Sequence, residues 1–382
     1  MEFRDTSIEA TRVLSKDTKQ KHGIFFTPRS DRDIVFKLLD QFNVCPSSIL
    51  EPSFGSGEFL EDIYERYPAA KITGVELNTD LFALSKRENI HNIDFLRYSG
   101  SHDLIIGNPP YFVIPKSNDT LVCQTHRPNM FVQFLYKSID QHLTENGYLA
   151  FVLPTSLFNC SYYERVRKYM YEHTTILAVQ RLTGSYLETL QPTFILLLQK
   201  GKRNDDFFLV RNECVYLTPH KSELTELLST STTLSELGFT VKTGDVVWNQ
   251  EKDKLSDTGI PVIYSSNIKR GTIDFNIPMK SPKKQYIEGF SRPPLSGKVI
   301  VINRGYGNAS YSLQSAMYAC SSFYAENHVN VVKPTTLDAE QKINRVFMSL
   351  NDKRTSKFIE YFVGNNALSK TEIEHCLPIW LD

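Results

Sequence analysis

The chain of 382 residues lacks any apolar run near the ~18 residues of a membrane-spanning helix; its longest strongly apolar stretches, Phe194–Leu198 and Val299–Ile302, have strand length. Its six cysteines, at 45, 123, 160, 214, 320 and 376, include no Cys-x-x-Cys pair. That excludes a zinc ribbon or thioredoxin-type centre, and reduced, mostly buried thiols are expected. With 18 glycines and 18 prolines it is too poor in both for a low-complexity linker protein. An excess charge of either sign is also missing, because 43 Lys and Arg face 43 Asp and Glu. The polar, mixed-charge start MEFRDTSIEA has no apolar core of a signal peptide, so a cytoplasmic protein is expected.

The hydrophobic fraction of 41% and charged fraction of 23% fit a soluble globular protein. At roughly 150 residues per domain, two or three domains are expected. Positive charge is concentrated locally: residues 267–304 hold eight Lys or Arg against two acids, a net of plus six. Such a segment is equally a phosphate-binding footprint or a solvated face.

The first two hundred residues alternate short β-branched runs with amphipathic stretches. Strands are predicted at Ser48–Glu51, Lys71–Glu76, Ile93–Leu96, Leu104–Ile106, Gly147–Leu153, Thr175–Arg181 and Thr193–Leu198. Helices are predicted at Ser30–Phe42, Gly57–Glu65, Asn78–Lys86, Asn129–Leu143 and Ser161–Glu172. This order predicts a Rossmann-like α/β domain with a mostly parallel sheet and a terminal antiparallel strand. Beyond Lys200 the texture changes to charged turns, a Ser/Thr-rich stretch and short strands mixed with Gly, Pro and Asn. A boundary in 205–232 is expected, giving a domain over 1–215 and a smaller mixed α+β domain over 226–382.

Three motifs carry chemistry. Glu51-Pro52-Ser53-Phe54-Gly55-Ser56-Gly57 follows a strand and opens a helix. Its glycines let the backbone turn sharply beside unpaired helix N–H groups, as a nucleotide-type ligand requires; plain tight turns share the pattern. Glu76 lies nineteen residues after Gly57, at the tip of the second strand, where an acid accepts both ribose hydroxyls. Alternatively it serves the next helix's N-terminus, which Asn78 can also cap. Last, the strand Asp103–Gly107 runs into Asn108-Pro109-Pro110-Tyr111. Two prolines make a rigid turn at a strand's carboxyl end, where open α/β sheets bind ligands. The Asn108 carboxamide oxygen and Pro109 carbonyl then form two convergent acceptors beside the Tyr111 ring.

These residues resemble the amino-group DNA methyltransferases that use S-adenosylmethionine, and their order resembles the gamma class of adenine-N6 enzymes. The Gly23-Ile24-Phe25-Phe26-Thr27-Pro28 segment, the glycine loop, Glu76, the Asp94-Phe95 pair and Asn-Pro-Pro-Tyr occur in that sequence, and the likeness covers about residues 21–200. The resemblance implies a cofactor site of Thr27, Pro28, Glu51, Pro52, Phe54, Gly55, Gly57, Glu76, Leu77, Asp94, Phe95, Asn108 and Pro110. Within it Thr27 and the glycine loop hold the methionine part and Glu76 the ribose. Leu77 packs on the adenine, and Asp94 accepts from its amino group. Asn108, Pro109 and Tyr111 are the implied catalytic residues, with Tyr111 stacking on an extruded base. A second stacking aromatic is expected near 193–198, either Phe194 or another residue, Phe194 being equally suited to the core. No metal is required.

Residues 226–382 resemble a target-recognition domain shared by gamma-class enzymes and type I specificity subunits. The likeness rests on VKTGDVVWNQ, GKVIVINRGYGN, AENHVNVVKP and LSKTEIEHCLPIWL. Arg304, Tyr306 and Asn308 occupy a Gly-flanked loop; Arg suits guanine edges and Asn adenine edges, though phosphate contact serves equally. Lys269, Arg270, Lys283 and Lys284 are expected on phosphates, and Lys116 on the target strand's phosphate.

The resemblance thus implies methylation of a flipped adenine N6 in double-stranded DNA, inside a bacterium or virus-infected cell, with a separate restriction endonuclease as an optional partner. Cytosine N4, an RNA base or a protein glutamine remain alternatives. Asn-Pro-Pro-Tyr enzymes acting on glutamine or ribosomal RNA lack the Phe-Phe-Thr-Pro segment, whereas cytosine-N4 enzymes more typically carry Ser at the Asn108 position. A dinucleotide oxidoreductase would leave the Asn108 turn without a job.

Overall fold

The computed structural model describes residues 2–382 except 119, 125–127, 183–191, 202–205, 270, 280–282, 305–311 and 365–366. The chain divides into two compact units, residues 1–219 and 220–382.

In the first unit α1 (Asp5–Val13), α2 (Lys16–His22) and α3 (Arg29–Gln41) precede β1 (Ser48–Glu51) and α4 (Glu58–Arg66). Next come β2 (Lys71–Val75), α5 (Thr79–Phe82), β3 (Ile90–His91), β4 (His102–Gly107) and α6 (Met130–Lys137). β5 (Leu143–Pro154), α7 (Glu164–His173), β6 (Thr174–Arg181) and β7 (Thr193–Lys200) complete the sheet, and β8 (Phe208–Arg211) and β9 (Cys214–Leu217) form a separate hairpin.

The strand order is β3-β2-β1-β4-β5-β7-β6. The pairings from β3 through β5 are parallel, while β7 is antiparallel to both β5 and β6. The reversed strand is therefore last in sequence but sits one place inside the sheet edge. Alternation along the strands builds two cores. Leu104, Ile106, Ala150, Val152, Ile195 and Leu197 face α3 and α4 through Val35, Leu39, Phe59 and Ile63. Ile105, Leu149, Phe151, Leu196 and Leu198 belong to the other core with Phe131 and Leu135 of α6 and Val166 and Met170 of α7. A sheet covered on both faces needs apolar side chains in both directions, which explains the unbroken apolar run of β7.

Three expected elements differ, one of them the helix expected over Asn78–Lys86, which narrows to the four residues of α5. Ile93–Leu96 is not a strand: β3 lies earlier, and Phe95–Arg97 is a 3-10 turn whose first N–H groups are capped by Asp94 Oδ1 on Leu96 N at 2.9 Å. The helix expected over Asn129–Leu143 narrows to α6, followed by a π-helical turn over Ser138–His142, so β5 starts at Leu143.

The second unit holds a seven-stranded sheet in the order Phe239–Thr243, Val329–Pro334, Leu295–Asn303, Ser315–Ala325, Ile260–Ile263, Tyr286–Ile287, Leu255–Ser256. All its pairs are antiparallel except Ile260–Ile263 with Ser315–Ala325. Among the described residues four helices accompany it: Lys221–Ser229, Leu337–Leu350, Lys353–Phe362 and Lys370–His375. No described helix is long and apolar enough to cross a membrane.

Candidate active site

The chain leaves β1, runs out through β2 and β3, and returns to β4 beside β1. The crevice at such a reversal, at the carboxyl ends of the strands, is where open α/β sheets take ligands. One cavity here is lined by Thr27, Glu51, Pro52, Phe54, Gly55, Glu76, Leu77, Asp94, Phe95, Asn108 and Pro110. Pro28, Gly57, Pro109 and Tyr111 are not among its lining residues.

The loop after β1 turns through Gly55 and Gly57 at φ +58° and +93°, and Gly57 caps α4. Glu76 crosses to it: Gly55 N donates to Oε2 at 2.8 Å and Asn78 N to Oε1 at 2.7 Å. Asn78 caps α5 with its own side chain, accepting from Asp80 N and Leu81 N at 3.0 Å each. Burial raises the Glu76 pKa while these backbone donors oppose the shift. A carboxylate retains lone pairs beyond two such bonds, so Glu76 keeps acceptor capacity for a ribose.

Glu51 supplies the test of the cofactor implied by the motifs. Its carboxyl is buried, and Oε2 has no hydrogen-bond partner among the described residues. Burial, with the neighbouring Glu76 charge, holds its pKa well above the ordinary carboxylate range, while Arg32 acts the other way. A buried, unpaired acid on a ligand cavity calls for a cationic group. S-Adenosylmethionine carries two, an ammonium and a sulfonium, so the residues fit it. Leu77 is 64% exposed at the cavity lip, free to cover a planar base. Asp94 and Phe95 line the same cavity, at the start of the turn they form.

The Asn-Pro-Pro-Tyr turn follows β4 directly. Asn108 Nδ2 donates to Thr27 Oγ1 at 3.1 Å and reaches Phe25 O at 3.5 Å. Its Oδ1 accepts from the Tyr111 hydroxyl, which lies 2.7 Å from Val152 O as well. The segment 23–27 therefore clamps the carboxamide from one side. The Tyr111 ring is half-buried and meets Phe131 edge-on at 5.9 Å.

Residues without a motif complete the site. Buried Arg32 donates through Nη1 to Thr27 O at 2.6 Å and pairs with Glu58 at 2.5 Å and Asp62 at 2.6 Å. Ser7 of α1 donates to Glu58 Oε1 at 2.5 Å and lies 2.6 Å from Ser56 Oγ. Since Ser56 and Glu58 line the cavity, α1 braces its glycine loop. Residue spacing held no signal for these long-range polar pairs.

Phe194 is placed differently from the stacking role considered for it. It is fully buried, packed on Phe158 at 4.5 Å, and paired in register with Leu153 and Arg181. A central strand covered on both faces turns this ring into the core.

In the second unit Lys269 is exposed on the Ile268–Lys269 strand, while Lys284 pairs with Asp257 at 2.9 Å. Lys283 Nζ lies over Trp248 and Tyr264, at 4.8 and 5.4 Å. Arg304 donates from its backbone to His328 O at 2.9 Å. Arg270, Tyr306 and Asn308 lie outside the described residues. Lys116, in the first unit, is exposed shortly after the Asn108 turn. Among the described residues no group of His, Cys, Asp and Glu is arranged to hold a metal ion.

The family model described as Eco57I restriction-modification methylase matches residues 57–186. The chain is 29% identical to Type II methyltransferase M.CvrRI of Paramecium bursaria Chlorella virus XZ-6E, with 99% of each covered. It is also 29% identical to modification methylase CviBIII of Paramecium bursaria Chlorella virus NC1A, with 96% of each covered. Among solved structures, the methyltransferase subunit of a type I restriction-modification system from Streptococcus thermophilus is similar at 20% identity and a TM-score of 0.42, over 54% of this chain and 53% of that one. Motif order, cavity and full-length relatives agree on an S-adenosylmethionine-dependent DNA methyltransferase, similar to the methylases of restriction–modification systems.

Proposed function

We propose that this methyltransferase acts on the N6 amino group of an adenine extruded from double-stranded DNA. The unit of residues 1–219 carries the chemistry and that of 220–382 chooses the sequence. The observation that carries the reading is the clamped Asn108 carboxamide at the end of β4, beside the cofactor cavity.

When bound, S-adenosylmethionine supplies an electrophilic methyl group on a sulfonium. Glu51 binds its positive charge, Glu76 its ribose, and Asp94 with Leu77 its adenine. The Thr27 hydroxyl and Phe25 carbonyl take the Asn108 amide hydrogens, which fixes Oδ1 as an acceptor. The Tyr111 hydroxyl has one proton and two acceptors, Asn108 Oδ1 and Val152 O. Turning to Val152 O leaves Oδ1 for a target N–H, and the Pro109 carbonyl accepts the other. An exocyclic amino nitrogen is a poor nucleophile because its lone pair is delocalised into the ring. Two acceptors favour a pyramidal nitrogen and stabilise the positive charge that grows on it. Positioning supplies much of the remainder. Extrusion from the duplex costs a few kcal/mol; stacking on the Tyr111 ring returns roughly 1–3 kcal/mol.

In the second unit Lys269, Lys283 and Lys284 serve phosphates, and Arg304, Tyr306 and Asn308 serve base edges. A separate endonuclease recognising the same site is the partner this reading accommodates.

The test is sequencing of modified bases in DNA from cells expressing the chain, beside cells expressing Asn108→Ala. The reading expects N6-methyladenine at one recurrent sequence with the native chain alone. N4-methylcytosine at a recurrent sequence would replace it with the cytosine reading.

A further inference from the structure

We propose that Lys137 is a positioning residue that holds the Asp94–Phe95 turn in the geometry selecting an adenine-bearing cofactor. The inference rests on the reading that Asp94 faces the cofactor's base and adds the residue that sets it there.

Lys137 ends α6 and is only 7% exposed. Its Nζ donates to the backbone carbonyls of Phe95 at 3.2 Å and Leu96, and reaches that of Tyr98 at 3.5 Å. These carbonyls belong to the 3-10 turn over Phe95–Arg97 and the residue after it. Within the turn Tyr98 N donates to Phe95 O at 3.0 Å; the carbonyls that follow need a donor from elsewhere. Asp94 Oδ1 caps the same turn's first N–H groups through Leu96 N at 2.9 Å. The turn is thus tied by Asp94 at its start and by Lys137 along its carbonyls. Phe95 is fixed by its neighbours too: its ring meets Phe134 at 4.6 Å, and Lys137 Nζ lies 5.6 Å from its centroid. Asp94, Phe95 and Phe134 all line the cofactor cavity.

A buried ammonium is costly to desolvate unless its hydrogens are used. Here they are directed at backbone carbonyls, while the nearby Asp94 charge favours the ammonium. The lysine thus holds the turn through its carbonyls and faces the acid that the turn carries. Losing the donor would take the ammonium from the Leu96 carbonyl and leave Phe95 O, among the described residues, only its bond from Tyr98 N, letting the turn shift, which moves the Asp94 carboxylate relative to the bound base.

The experiment measures binding of S-adenosylhomocysteine, and of its counterpart with hypoxanthine in place of adenine, to the full chain by calorimetry. Hypoxanthine presents a carbonyl where adenine presents an amino donor, so a fixed Asp94 repels it. The native chain is expected to prefer the adenine compound by at least about 10-fold. Lys137→Met is expected to weaken the adenine compound about 10-fold and bring the two affinities within about 2-fold of each other. Lys137→Arg should restore most of the preference. In methyl transfer the loss should fall on the cofactor KM rather than on kcat. Lys137→Gln, which keeps one shorter donor, is the second variant should the Met variant not fold, with the same fall in preference expected. A folded variant that binds both compounds more weakly but keeps the native ratio overturns the proposal. So does a native chain without preference. A native chain that binds neither compound is a different outcome, and contradicts the reading of the cavity itself.

Discussion

A β-carbon added to Gly23 would lie 2.6 Å from the backbone nitrogen of Tyr111. Gly23 also sits at φ +61°, a conformation side chains resist. The N-terminal segment can therefore lie directly on the Asn-Pro-Pro-Tyr turn only with glycine at this position, and that approach brings Phe25 and Thr27 to Asn108. Gly23→Ala should separate clamp from turn. The expected result is a stability loss of about 1–3 kcal/mol with a fall in methyl transfer of at least about 100-fold, read by thermal melting and a labelled-methyl assay. Native activity in a stable variant would mean the clamp is unimportant.

On the proposed reading, Asn108→Ala removes one of two acceptors for the target amino group while leaving Glu51 and Glu76 in place. Turnover should drop by about 10²–10³-fold, on the scale of removing one transition-state hydrogen bond. Cofactor affinity should weaken only severalfold, because the carboxamide edges the cavity. Single-turnover transfer and equilibrium binding separate the two effects.

The buried Glu51 carboxyl makes cofactor binding depend on pH. Its pKa is raised in the protein without cofactor, and a bound cation would lower it. Binding should therefore release a proton where the free protein holds one, and affinity should fall as pH drops below the raised pKa. Calorimetry in buffers of different ionisation enthalpy reads the release. Glu51→Gln should bind more weakly and release none at this site.

His102 reports on folding instead. Burial, with the charge of His142 beside it, lowers its pKa from 6.5 to about 4, and the Tyr98 hydroxyl lies 2.8 Å from Nε2. Between those values the unfolded chain takes up a proton that the native chain refuses. Stability should thus fall as pH drops from about 7 to 4, by on the order of 3 kcal/mol from this residue at the limit, before levelling. His142 shifts the same way. Urea unfolding across that range should steepen with His102 present and flatten in His102→Gln.

In the second unit, Lys269→Ala and Lys283→Ala should each weaken DNA binding alike for all sequences and reduce the log–log salt slope by about one. Lys284→Ala should change it less, since its ammonium already pairs with Asp257. Binding titrations from low to moderate salt give the slopes.

What was legible in the sequence followed from local chemistry. Glycines at 55 and 57, the acid nineteen residues on and the prolines after β4 impose backbone geometry by themselves, and they mark the loops that meet at the cavity. Asp94 misled at the level of the element: the apolar residues around it suit a strand, but a side chain that can cap its own neighbours won a 3-10 turn. Phe194 was ambiguous because a strand buried on both faces has no alternation to say which way a ring points. Ser7, Arg32, Glu58 and Lys137 were illegible for another reason. Their value lies in partners up to 54 residues away in the chain, and α1 itself is too polar to announce a helix by periodicity.

The most direct measurement is to incubate the purified chain with methyl-labelled S-adenosylmethionine and duplex DNA, digest the DNA to nucleosides and locate the label. The account predicts label in N6-methyldeoxyadenosine, reduced about 10²–10³-fold when Asn108→Ala replaces the native chain. Label in N4-methyldeoxycytidine, on polypeptide, or on no nucleoside at all would contradict it.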